Sequence, residues 1–218
     1  MHCLALEKLY FEREDLPLFG GLSASWQSGS IVQIAGHNGC GKTTLLRMIA
    51  GLLQPSSGRV LWDDKANRGL SFQSKLLFLG HQVGVKMTMT ALENLRWFFA
   101  LHGRKSADKT PEVSRDELLE ALERVGLRAY ADTPAHSMSA GQQRRIALAR
   151  LFISEAPLWI LDEPFTAIDK HGVSELEQRI DKHAASGGIV LLTTHQRWSA
   201  PSFQVLDLEQ YKGRAVDV

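Results

Sequence analysis

Short apolar runs alternate along the chain with amphipathic stretches, and the two kinds of pattern predict different elements. SIVQIAG, residues 30–36, is β-branched and apolar and stops at a glycine, as expected of a buried strand of the parallel type. KTTLLRMIAGL, residues 42–52, then places Leu45, Ile49 and Leu52 at three- and four-residue spacing. That spacing predicts a helix with those residues on one face, stopping near Gly51 ahead of Pro55. A second apolar run, LWIL at 158–161, closes on Asp162 and Glu163, and Pro164 blocks further pairing. A third, GIVLLTTH, closes on His195. In open α/β sheets the ligand crevice lies beyond the carboxyl ends of the strands, so these three ends are expected to converge.

Between these runs, ALENLRWFFALHG and SRDELLEALERVGL carry helical apolar spacing, and RKSADKTPEV separates them as a loop. The expected class is α/β: a doubly wound core of residues 1–87 and 137–218, interrupted by a helical subdomain at about 88–136. Trp97, Phe98 and Phe99 in that insert are read chiefly as packing residues of an amphipathic helix.

Composition narrows the picture. The chain has 218 residues, enough for one α/β domain, and 25 basic against 24 acidic side chains, a net charge of +1. Such a balance provides no basic stripe for a phosphate backbone, so no nucleic-acid partner is expected. Cys3 and Cys40 lie far apart and are read as neither a disulfide framework nor a zinc site. Charges occupy the first fifteen residues where a secretory segment needs an apolar stretch, and no run approaches the roughly eighteen apolar residues of a membrane span.

The chemistry concentrates in GHNGCGKT, which fits G-x-x-x-x-G-K-[ST]. Gly36, His37, Asn38, Gly39, Cys40 and Gly41 form a loop whose backbone N–H groups cradle phosphates at the positive end of the following helix, which Lys42, Thr43 and Thr44 open. Lys42 is expected to reach the β and γ phosphates of ATP. Thr43 is expected to ligate Mg²⁺, with Asp162 holding the ion from the opposite side, usually through water. Cys40 sits in this loop at a helix N-terminus, a position expected to lower a thiol's pKa.

A further segment, MSAGQQRRIALAR at 138–150, resembles the signature segment of ATP-binding cassettes, with Ser139 and Gly141 at its centre. Taken alone, SAGQQ reads equally as an N-cap serine and a glycine opening a surface helix. Its place just ahead of LWILDEP favours the cassette. The remaining cassette segments follow in order: a glutamine loop at Gln82, the pair Asp162 and Glu163, TAID ending at Asp169, and a switch histidine at His195. The resemblance covers nearly the whole chain and implies a P-loop ATPase core of the ABC type.

What the resemblance implies about roles is specific. Glu163 is the expected general base for hydrolysis, with His195 positioning the water and contacting the γ-phosphate. Gln82 touches both Mg²⁺ and the attacking water. Ser139 and Gly141 of one subunit close over ATP bound by the other, so a second copy of the chain is an expected partner. Arg13 falls where cassettes usually place an adenine-stacking aromatic; a guanidinium plane can cover a base, and a solvated surface arginine is an equal reading.

Several strings, LFLGHQVGVK, TALENLRWF, PLWILDEPFTAIDK and TTHQ, are similar to the ATP-binding subunits of cytochrome c maturation systems. That likeness implies multispanning membrane partners, a peripheral place on the cytoplasmic face of a bacterial inner membrane, and a role in exporting or releasing haem. Haem itself is not expected to bind this chain. A transporter ATPase for another cargo, or a soluble cassette acting on nucleic acid, remain the rival readings.

Overall fold

The computed structural model describes residues 1–14, 16–103, 113–166, 168–195 and 203–212. Two sheets form the core. The first is antiparallel and begins with a long hairpin, β1 (Cys3–Arg13) and β2 (Leu16–Gln27). Alternation writes this hairpin: Leu4 and Leu6 are buried while Ala5 and Glu7, the residues that follow each, are only half-buried.

The second sheet is parallel. β3 (Ile31–Ala35) leads through the glycine loop into α1 (Lys42–Ile49). β4 (Ser57–Trp62) and β5 (Lys65–Ala66) return to the first sheet, in the order β2-β1-β4-β5. A short α2 (Leu70–Gln73) precedes β6 (Leu76–Leu79), the edge strand of the parallel sheet. Next come α3 (Ala91–His102), α4 (Arg115–Arg124) and α5 (Ala140–Ala149). β7 (Leu158–Asp162), α6 (Lys170–Ala185), β8 (Ile189–Thr193) and β9 (Phe203–Asp207) complete a sheet ordered β6-β7-β8-β3-β9.

The three expected strands are therefore β3, β7 and β8, and they lie side by side. Ile31 pairs with Val190, and Asp162 with Thr193, all in parallel register. Every residue of β7 and β8 is buried, as a strand covered on both faces requires. This is the α/β phosphate-loop fold read from the sequence.

One face assignment in α1 is corrected. Leu45 and Ile49 are fully buried, but Leu52 is 57 % exposed. The helix ends at Ile49 and Gly51 turns left-handed at φ 71°, so the helical periodicity no longer applies three residues on. A Cβ at Gly51 would meet the Asn67 carbonyl at 2.5 Å, so glycine is needed both for the turn and for the close approach.

A separate apolar cluster joins Leu92, Leu95 and Phe99 of α3 and Leu118 and Leu122 of α4 to Ile146 and Ala149 of α5. Phe99 is buried there, while Trp97 and Phe98 are half-buried, with Lys86 4.9 Å above the Trp97 ring. Each of the three helices opens with a capping box: Thr90 with Glu93, Ser114 with Glu117, and Ser139 with Gln142. The loop expected at RKSADKTPEV, all but its last residue, lies outside the described residues, as do Ala167 of TAID and Gln196 of TTHQ. No helix among the described residues is long and apolar enough to cross a membrane.

Candidate nucleotide site

The loop from Gly36 to Gly41 adopts backbone that glycine permits: Gly36, Gly39 and Gly41 have φ of 138°, 87° and 106°. A Cβ at Gly41 would press on the Phe19 ring at 3.1 Å, so the loop rests on β2. Lys42 folds back onto the loop, its Nζ donating to the carbonyls of Gly36 at 2.8 Å and His37 at 3.0 Å. The ammonium thus lies over the loop, where phosphates would compete for it.

From β7, Asp162 reaches the same place. It is 5 % exposed, and its Oδ2 accepts from Thr43 Oγ1 at 2.9 Å. A hydroxyl and a carboxylate, both hard oxygen donors, thus stand together at the helix start, a donor set that suits Mg²⁺. The other oxygen of Asp162 accepts from Thr193 Oγ1 at 2.7 Å. Thr193 in turn accepts from the Glu163 N–H at 2.8 Å.

Glu163 is held in the left-handed region, φ 51°, which costs a non-glycine residue about 1–3 kcal/mol. Three bonds on its backbone and its neighbour's oppose that cost. Besides the Thr193 bond, the Arg144 guanidinium donates to the Asp162 carbonyl at 2.9 Å and to the Glu163 carbonyl. Burial depresses the Arg144 pKa, and the negative charges of Asp162 and Glu163 oppose that shift. His195 follows β8 with its side chain 73 % exposed, and its Nε2 lies 3.6 Å from Glu163 Oε1, too long for a hydrogen bond.

Gln82 is exposed, beyond the end of β6, and lines a cavity of about 330 Å³ with Thr43, Arg47 and Gly80. The residues that follow it are tied to the helices. Buried Asn94 of α3 accepts from the Lys86 N–H at 2.7 Å and donates to the carbonyls of Lys86, Met89 and Thr90. Arg150, just after α5, donates to Val83 and Gly84 carbonyls and packs 4.4 Å over the Phe98 ring, and burial lowers its pKa to about 10.

Strand ends, phosphate loop and Gln82 are thus brought together. Ser139 and Gly141 share no hydrogen bond or cavity with the loop among the described residues; Ser139 is exposed, and its hydroxyl and N–H bond Gln142 within its own helix start. Arg13 ends β1 at the hairpin tip, exposed, opposite Leu16 and 3.9 Å from Glu14. A larger cavity, about 870 Å³, opens elsewhere, where Glu123 and Arg145 face Asp169 and Glu175.

The expectation for the Cys40 thiol is reversed. The side chain is 6 % exposed, and burial raises its pKa more than the nearby Lys42 charge lowers it. Sequence reasoning also passed over Thr193, Arg144, Asn94 and Arg150. Thr193 alone carried a local signal, as a polar residue closing a run of buried apolar ones.

A glycine loop of the phosphate-binding pattern, a threonine–aspartate oxygen pair and a strand-end glutamate are the features of a phosphate-loop ATPase. Residues 19–166 match the ABC transporter family. The chain is 53 % identical over 208 residues to the cytochrome c biogenesis ATP-binding export protein CcmA of Saccharophagus degradans, covering 95 % of this chain and 93 % of that one. Among solved structures, an ABC transporter ATP-binding protein from Pyrococcus furiosus superposes with a TM-score of 0.80 at 25 % identity, over 96 % of this chain and 99 % of that one. The ATP-binding cassette MJ0796, solved as a dimer in a post-hydrolysis state with ADP and Pi, does so with a TM-score of 0.75 at 25 % identity, over 88 % of each. The chain belongs to the ABC transporter family, among the cytochrome c biogenesis ATP-binding export proteins.

Proposed function

We propose that this ATPase works in the haem export or release step of c-type cytochrome maturation, as a dimer docked on multispanning membrane subunits at the cytoplasmic face of the inner membrane. The observation that carries the reading is the likeness to cytochrome c biogenesis export proteins along nearly the whole chain. Deleting the gene and staining for covalently bound haem tests it: loss of c-type cytochromes is expected, and normal levels contradict it.

In the hydrolytic step, Lys42 leaves the Gly36 and His37 carbonyls and binds the β and γ phosphates of ATP. Thr43, Asp162 and Gln82 would hold Mg²⁺, which would supply charge neutralisation on the phosphates. Glu163 accepts the proton of the attacking water. His195 sits near enough to Glu163 to help orient that water.

Ser139 and Gly141 act on the partner copy's nucleotide. Both stand at the N-terminus of α5, where backbone N–H groups favour an anion. Arg13 is the adenine-side contact. Haem is handled by the membrane subunits, and the helices α3 and α4 with the Gln82 loop form the lobe that couples to them, through Asn94 and Arg150.

A further inference from the structure

We propose that His37, Cys40 and Glu209 form a binding site for a zinc-type divalent cation at the phosphate loop, and that its occupancy opposes nucleotide binding. Their candidate ligand atoms, an imidazole nitrogen, a thiol sulfur and a carboxylate oxygen, all lie within 4.8 Å of one another. His37 and Cys40 belong to the loop, whereas Glu209 arrives from the turn after β9.

The geometry is close to a coordination shell. His37 Nε2 and Glu209 Oε1 are 3.5 Å apart, and ligands around tetrahedral Zn²⁺ stand about 3.3–3.6 Å from each other. The thiol completes the set within the same 4.8 Å. Gly36 leaves room for it: a Cβ there would lie 2.5 Å from Cys40 Sγ and 3.4 Å from Glu209 Oε1.

His37 is also oriented for ligation. Its Nδ1 is 2.8 Å from the Asn38 carbonyl, which selects the tautomer protonated at Nδ1 and leaves the Nε2 lone pair outward. Metal-bound histidines are commonly fixed by a hydrogen bond of this kind. Lys212 Nζ lies 3.2 Å from that Nε2, so one cation already occupies the lone pair and an incoming metal must displace it. Glu209 Oε1 accepts from the His37 N–H at 3.0 Å, which tethers the carboxylate to the loop.

A sulfur, nitrogen and oxygen donor set suits zinc and excludes the hard ions Mg²⁺ and Ca²⁺, so this site is chemically separate from the Thr43–Asp162 pair. Ligation releases the thiol proton to solvent and changes no oxidation state. Bridging two loop residues to Glu209 would hold the loop in the form where Lys42 binds its own backbone carbonyls. Nucleotide needs Lys42 to turn away, so metal and ATP oppose each other, reciprocally.

The test is titration of the full, chelator-treated, nucleotide-free chain with Co²⁺ and then Zn²⁺. One Co²⁺ per chain with a thiolate-to-cobalt absorption band, displaced by Zn²⁺, is expected, and Cys40→Ala should remove the band. Glu209→Gln should weaken Zn²⁺ by about tenfold or more, while its amide oxygen still accepts from His37. Saturating Zn²⁺ should raise the Kd for ATP by about fivefold or more. A cobalt spectrum without the thiolate band, or Zn²⁺ affinity unchanged in Glu209→Gln, would mean an adventitious ion only and overturn the site. Unchanged ATP affinity with zinc bound would overturn the antagonism. The metal titration contains no nucleotide, so its failure leaves the transporter reading intact.

Discussion

At the strand ends, the Asp162 carboxylate and the Glu163 backbone are tied down within the chain. Asp162 has both carboxylate oxygens bonded, to Thr43 and Thr193, and Glu163 is held in the left-handed region by Thr193 and Arg144. At the start of α5 the situation is the opposite. Ser139 is exposed, and its hydroxyl and N–H are engaged only in its own capping box. One region stores strain and rigidity beside the phosphate loop; the other presents polar groups on the surface that meet nothing beyond their own helix among the described residues. The contrast argues that enclosure of the nucleotide depends on assembly, since preorganisation is useful only where the reacting groups are permanently present.

The largest effect should come from Glu163→Gln, which preserves the bonded backbone and removes only the proton acceptor. ATP turnover should fall about 10³-fold with nucleotide affinity nearly unchanged. Steady-state hydrolysis beside equilibrium nucleotide binding checks this, and wild-type turnover would remove Glu163 as the base. Next is Lys42→Ala, which deletes a charge-assisted phosphate contact of about 1.5–3 kcal/mol and should weaken ATP binding about 10- to 100-fold. Undiminished affinity by calorimetry would show that Lys42 stays on the loop carbonyls.

Thr193→Val probes the rigidity itself. It leaves the Glu163 N–H and one Asp162 oxygen without their buried partner, at a cost of about 2–3 kcal/mol, and should lower both Tm and turnover. A stable variant with normal turnover would mean that the strand-end network is not what holds Glu163. The smallest effect concerns Cys40. Because burial raises its pKa, less thiolate is present at neutral pH, and labelling should be slow, rise at higher pH than for an ordinary thiol, and slow further with ATP. Equal rates with and without nucleotide would place the thiol away from the bound phosphates.

What could be read in the sequence follows the same division. β3, β7 and β8 were legible because strands buried on both faces must be continuously apolar, and their polar ends then stand out. The loop was legible because glycine, lysine and threonine at fixed spacing are dictated by backbone geometry and phosphate charge. Thr193, Arg144 and Glu209 were not, because each acts across 30, 19 and 172 positions of sequence and meets its partner only once the sheet is assembled. His37 and Cys40, three apart in one loop, were read as phosphate-loop residues and not as a metal pair. Leu52 was misplaced because periodicity carries no information past the left-handed turn at Gly51.

The central claim is that Ser139 and Gly141 of one copy complete the site of the other, and mixing two inactive chains tests it most directly. Lys42→Ala lacks a phosphate contact and Ser139→Arg blocks the signature end, so each homodimer has two defective sites. Mixed in membranes containing their partner subunits, the two should form heterodimers with one intact site and regain roughly a quarter of wild-type hydrolysis under random pairing. No recovery, with both chains folded and Ser139→Arg still binding ATP, would contradict a shared site.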